Sequence, residues 1–118
     1  MLFFNLVITS APEEKLPKAI VTEKSFDHVT LTFDHFAPEN YAHSYVAMYK
    51  VVDGGRWQSR EQSEAERAQN SDLPSVRVGG LRPDTEYEAR VAVYEDYSIR
   101  SLGKATGVIE FRTEREFG

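Results

Sequence analysis

Short runs of β-branched and aromatic residues recur along the chain with Gly, Pro, Asp and Asn between them, the pattern of strands joined by turns. Residues 28–33 alternate cleanly. Val29, Leu31 and Phe33 point one way and His28, Thr30 and Thr32 the other, which predicts a strand with one core face and one wet face. Residues 19–23 form a shorter run behind Pro17, whose missing amide suits an edge strand. Residues 44–52 carry Tyr45, Ala47 and Tyr49 on one face and Val46 and Met48 on the other, as expected of a central strand partly covered on both sides. Asp53-Gly54-Gly55 then supplies the positive dihedrals of a tight hairpin, with Trp57 in the returning strand. Residues 59–74 are polar, with Glu61, Glu64, Glu66 and Arg67, and read as a long loop in preference to one or two solvated helical turns. Residues 75–78 form the next strand and residues 87–94 the longest. In the latter Tyr87, Ala89, Val91 and Val93 share a face, and the charged Glu88 and Arg90 point outward. A polar loop over 95–104 leads to a last strand, 108–112, in which Ile109 and Phe111 share a face. About seven strands in roughly 100 residues is the count of an immunoglobulin-like β-sandwich.

The segment that opens the longest strand narrows this further. Leu81, Pro83, Thr85 and Tyr87 form a Leu-x-Pro-x-Thr-x-Tyr run that closely resembles the signature of the fibronectin type III family. The physical sense is clear: Leu81 plugs the end of the core, Pro83 presets the turn, and Tyr87 buries its ring while its hydroxyl bonds back to main chain upstream. Val29 to Phe33, the Tyr45-x-Ala47-x-Tyr49 alternation, Trp57 after the glycine turn and a closing Phe111-Arg112-Thr113 resemble the family in the right order. The resemblance implies an all-β, seven-stranded sandwich of the fibronectin type III type over residues 17–113. Residues 1–16 are then an extension, a linker or an extra strand, and 114–118 a charged tail. Two departures stand out. Phe33 occupies the place where the family usually has Trp, and residues 59–74 make a longer connection than usual.

The formal net charge of −5, from 14 basic and 19 acidic residues, offers a phosphate backbone no overall attraction, so nucleic acid is not an expected partner. The absence of cysteine removes disulfides, thiolate metal sites and thiol catalysis together. No apolar run approaches the roughly 20 residues of a membrane helix. The longest candidate, residues 2–8, already contains Asn5, so membrane insertion is not expected of this segment. As a signal peptide it lacks a basic start and is short; an added strand, or part of a longer chain, fits it better. Such a strand can join a sheet edge in its own domain or a neighbour's, which leaves a strand-exchange dimer open. Asn70-Ser71-Asp72 misses the glycosylation sequon.

Catalytic chemistry finds little footing. His28 and His35 each follow an aspartate, but neighbours on a strand point to opposite faces, and with His43 they match no metal-ligand spacing. There is no nucleophile elbow and no glycine-rich phosphate cradle. The Glu95-Asp96 and Glu13-Glu14 pairs sit in polar stretches that would not shift a pKa. No cofactor and no enzymatic activity are expected. In the family's topology residues 36–41 and 95–100 are neighbouring loops, so Tyr41, Tyr97 and Arg100 become candidates for a protein-contact patch, being residue types that supply binding hot spots. The Arg-Gly-Asp tripeptide and the Trp-Ser-x-Trp-Ser box found in some relatives of the family are missing. The expectation is a non-catalytic interaction or spacer module of a cell-surface or extracellular receptor or adhesion protein, binding a protein ligand or neighbouring domains. The alternatives are a cytoplasmic structural module of a muscle-type array and an accessory module of a secreted bacterial enzyme.

Overall fold

A computed structural model describes residues 16–36, 45–68 and 73–116. Its strands are β1 (Ala19–Lys24), β2 (Val29–Phe33), β3 (Tyr45–Val51), β4 (Gln58–Glu61), β5 (Ser75–Val78), β6 (Glu86–Asp96), β7 (Ser101–Ala105) and β8 (Ile109–Arg112), with one helical turn, α1 (Glu64–Arg67), after β4. They form two antiparallel sheets, one ordered β1-β2-β5 and the other β4-β3-β6-β7, with β8 also paired to β6. The chain is thus all-β, a sandwich of a three-stranded and a five-stranded sheet. β7 and β8 line up along the same edge of β6 as one interrupted strand. Counted that way, the described residues make the seven strands that the alternation predicts.

The core lies where the two alternating faces meet. Val29, Leu31 and Phe33 from β2, Val76 and Val78 from β5, and Ala47, Ala89, Val91 and Val93 from the facing sheet are all nearly inaccessible to solvent. Aromatic neighbours pack around Phe33: Tyr45 meets it edge-on at 4.6 Å between centroids and Phe36 at 6.4 Å. Three rings share the end of the core. At the opposite end the predicted corner is present. The Tyr87 ring is buried and stacks on Phe111 at 5.6 Å, and its hydroxyl accepts the Arg82 amide at 2.9 Å. Leu81 is buried beside it, and its amide donates to the Asp27 carbonyl in the β1–β2 turn. Pro83 starts the turn that brings Asp84 to a positive φ of 49°.

Two polar stretches read as loops contain regular structure. Residues 59–74 open as the continuation of β4 and then form α1. Ser63 and Glu66 close a capping box, the Ser63 hydroxyl accepting the Glu66 amide at 3.1 Å and the Glu66 carboxylate the Ser63 amide at 2.8 Å. The Glu66 carboxylate also accepts the Arg77 amide on β5 at 2.7 Å and the Arg60 guanidinium on β4 at 3.1 Å. A solvated-looking glutamate thereby ties the edges of both sheets together. Burial works against ionising this carboxyl, yet the two amides and Arg60 outweigh it and hold it below the ordinary glutamate range.

Residues 95–104, the second such stretch, continue β6 to Asp96, make a 3-10 turn over Tyr97–Ile99 and return as β7. The break before β8 falls at Thr106, whose buried hydroxyl accepts the Val91 amide at 3.0 Å and donates to the Gly107 carbonyl. A side chain there replaces a ladder bond, and the register along β6 shifts.

The hairpin between β3 and β4 turns on Gly54 at a φ of 79°. Gly55 is held by close approach instead, because a Cβ there would stand 2.6 Å from the Val51 carbonyl oxygen. Trp57 stands just before β4, not within it, and is 40% exposed, since the returning strand starts only at Gln58. Of the expected linker or added strand over residues 1–16, all but Leu16 lies outside the described residues. Among the described residues no helix is long and apolar enough to cross a membrane.

Candidate interaction surface at the β6–β7 hairpin

The face of the five-stranded sheet turned away from the core carries its own apolar patch. Even-numbered residues of β6 point outward, and there Ala92 and Tyr94 pack with Val46, Met48 and Ala105. Tyr94 is only 8% exposed although it lies outside the sandwich. Its hydroxyl donates to the Glu61 carboxylate at 3.3 Å, and burial, reinforced by that negative charge, pushes its pKa above the usual phenol value. Beyond Tyr94 the hairpin tip is tightly built. The Asp96 carboxylate accepts the Ser98 hydroxyl at 2.7 Å and the Ser98 amide at 3.0 Å, which holds this acid below the usual range. Arg100 then closes the turn in the left-handed region at a φ of 56°, its amide donating to the Tyr97 carbonyl.

That geometry lays the Arg100 guanidinium over the Tyr97 ring at 3.9 Å, with the Tyr94 ring 5.8 Å away. The same guanidinium donates to the Tyr97 carbonyl and faces Glu61 at 3.8 Å. Tyr97 meets Tyr94 edge-on at 5.4 Å. Around this Tyr–Arg–Tyr–Glu cluster, Ile99 is 72% exposed and Leu102 is 39% exposed. The result is a ridge of aromatic, aliphatic and cationic side chains in fixed positions at one end of the sandwich.

Two other polar clusters resolve into structural contacts. Ser25, Asp27 and His28 come together, but the Ser25 hydroxyl at 2.6 Å and the Asp27 carboxylate at 3.0 Å both sit on Nδ1, while Nε2 faces Glu23 at 3.7 Å. A catalytic relay needs serine and acid on opposite ring nitrogens. This group braces the β1–β2 turn instead. On the outer sheet face the Arg90 guanidinium lies over the Trp57 ring at 5.2 Å and the Lys50 ammonium at 5.7 Å, a cation–π group that ties Trp57 to the sheet. Among the described residues no cluster of His, Asp and Glu is placed to hold a metal ion.

No protein-family model and no curated protein matches this sequence. Solved structures do. The fibronectin type III domain of human fibronectin type III domain containing protein 3 superposes with a TM-score of 0.60 at 18% identity, covering 97% of this chain and 96% of that one. The chicken CNTN1 FN1–FN3 structure matches with a TM-score of 0.65 at 17% identity over 86% of this chain, which spans 32% of that longer one. The third fibronectin III domain of the human KIAA0343 protein gives 0.59 at 14% identity, over 98% of this chain and 97% of that one. The fold is that of a fibronectin type III domain.

Within that fold the predicted residues separate into three groups. Phe33, Leu81 and Tyr87 are buried in the core, Pro83 lies half-buried in the turn before Tyr87, and Trp57 packs on the outer sheet face. Tyr97 and Arg100 are brought into direct contact. Tyr41 lies outside the described residues. Sequence reasoning missed Tyr94 and Glu61, which hold the ridge in place. The signal for Tyr94 was parity, since it is out of phase with Tyr87, Ala89, Val91 and Val93. Glu61 had no such signal, because its position follows from pairing with Val46 across β3 and β4.

Proposed function

We propose that this fibronectin type III domain is a non-catalytic interaction module that engages a protein partner through the β6–β7 ridge. The observation that supports the reading most directly is the Arg100–Tyr97–Tyr94 stack beside exposed Ile99 and Leu102. Tyr and Arg supply binding energy at little entropic cost when their rotamers are already fixed, and here the aromatic contacts, Glu61 and the capped turn fix them before any partner arrives. Low-identity neighbours support the fold, and the fold serves many functions, so the partner is argued from the ridge alone. The partner chemistry that fits is a protein surface with an apolar recess for Ile99 and Leu102 and a carboxylate or carbonyl group for the guanidinium.

The setting we propose is extracellular or at the cell surface, within a receptor or adhesion protein. It is supported by the resemblance to a family used there, and a cysteine-free chain is compatible with it. Labelling intact cells with a membrane-impermeant amine reagent tests the setting: modification of the native protein on unbroken cells is expected, and labelling only after lysis would overturn it. The ridge is tested by immobilising the full chain, its Tyr97→Ala/Arg100→Ala variant and a Lys24→Ala control. A membrane-protein fraction retained by wild type and control but not by the double variant is expected. Equal retention by all three would sink the ridge as the binding surface.

A further inference from the structure

A second exposed apolar feature lies on the other side of the sandwich, where the edge strand of each sheet faces outward. Leu16, Ala19 and Ile20 form one wall of a groove of about 290 Å³, and Gly107, Val108 and Ile109 form the other. Its rim is unusually apolar for a surface: Leu16 is 62% exposed, Ile20 56% and Val108 51%. The groove exists because β7 and β8 are interrupted at Thr106–Val108, which opens the edge of one sheet opposite the start of the other. The Gly107 amide donates to the Pro17 carbonyl at 3.3 Å and pins the incoming chain at the groove. Below it, β1 bulges at Thr22, which breaks the regular strand edge just past the groove.

We propose that residues 2–8 of the same chain fill this groove. Six of those seven residues are apolar, and at strand period Leu2, Phe4, Leu6 and Ile8 share a face, with Phe3, Asn5 and Val7 on the opposite one, where the single polar residue falls. The tether is short. Residues 9–15 span at most about 25 Å when extended, and they end at Leu16, itself part of the groove wall. Ser10 and Pro12 are turn-forming residue types, which lets a tether of this sequence reverse toward β1. Attachment also chooses the occupant. A tether of this length holds the segment at an effective concentration in the millimolar range, so its own groove outcompetes a second copy at micromolar concentration. The groove is then an internal docking site for the leading segment, separate from the β6–β7 ridge.

The cysteine-free sequence makes the test direct. A nitroxide attached through Asn5→Cys, on the face opposite Leu2, Phe4, Leu6 and Ile8, is expected to cause near-complete loss of the Ile20, Gly107 and Val108 amide signals in the full 15N-labelled chain. Gly54, at the hairpin leading to the opposite sheet edge, should keep its signal. The loss should be reversed by Ile20→Glu with Val108→Glu, exposed positions whose charge makes the groove inhospitable without touching the core. It should also be missing when untagged labelled chain is mixed with tagged unlabelled chain. No loss in the tagged chain would overturn the proposal. So would loss that survives the charged variant, which would reduce it to random tether encounters, and loss in the mixed sample, which would make a second copy the occupant.

Discussion

Tyr87 and Tyr94 stand on the same strand of one sheet, seven residues apart, and both are almost wholly removed from solvent, at 3% and 8% exposure. They are buried by different means. Tyr87 has odd parity on β6, enters the core, stacks on Phe111 and receives a main-chain amide from Arg82. Tyr94 has even parity, stays outside the sandwich, and is covered by the side chains of a neighbouring strand and hairpin. Its hydroxyl donates to the Glu61 side chain, which is half-exposed. The first tyrosine holds two sheets to a corner of backbone. The second organises a surface. A strand of period two produces both from one run of residues, and the face decides whether a ring supports the fold or presents it.

Breaking the corner should have the largest effect. Tyr87→Ala removes a buried ring and leaves the Arg82 amide unpaired, so a loss of about 3–5 kcal/mol is expected in urea denaturation, enough to unfold a domain of marginal stability. The milder pair Tyr87→Phe and Tyr94→Phe sharpens the contrast, since each deletes only a hydroxyl. Tyr87→Phe is expected to cost about 1–3 kcal/mol because a part-buried main-chain donor loses its partner, and Tyr94→Phe less than about 1 kcal/mol because water can replace it at Glu61. Equal costs would mean that the two burials are energetically alike.

Glu66 bridges the edge strands β4 and β5 of the two sheets through Arg60 and the Arg77 amide. Its carboxyl is held below the usual glutamate value, so the native state binds this proton less readily than the unfolded chain. Its stabilising contribution is therefore complete above the ordinary range, near 4.5, and drains away as pH falls through the lower native value. Acid titration of stability should show wild type losing stability on this limb, and Glu66→Gln, already weaker at neutral pH, following a flatter course. Parallel curves would remove Glu66 from the account. The smallest effect belongs to Tyr97→Ala with Arg100→Ala, expected within about 1 kcal/mol of wild type, as for surface contacts that cap no core. A loss comparable to that of Tyr87→Ala would show the ridge to be part of the fold rather than a surface carried by it.

Alternation and turn chemistry made most of the sandwich legible. The inward residues of β2, β3 and β6, the glycine hairpin at Gly54 and the corner at Tyr87 all follow from local period and from residue types with one physical use each. The polar stretches were not legible in the same way. Residues 58–61 lack apolar alternation because β4 is a half-exposed edge, and its strand character is supplied by its neighbour β3. The Ser63-x-x-Glu66 capping box was present in the residues, but four helical residues in a charged segment carry too little periodicity to stand against a loop reading. At the ridge, Tyr97 and Arg100 were visible as hot-spot types, whereas the stack between them needed Arg100 in a left-handed turn, a conformation for which arginine carries no preference.

From the residues alone it follows that this is one all-β sandwich with a fibronectin type III corner at Tyr87, because period-two burial and a proline-led tyrosine turn are local properties of the chain. Which polar side chains meet follows only from folding. Glu66 reaches Arg77 across eleven positions and Tyr94 reaches Glu61 across thirty-three. Such contacts depend on strand register and on how two sheets are laid together, and no local pattern of residues encodes them.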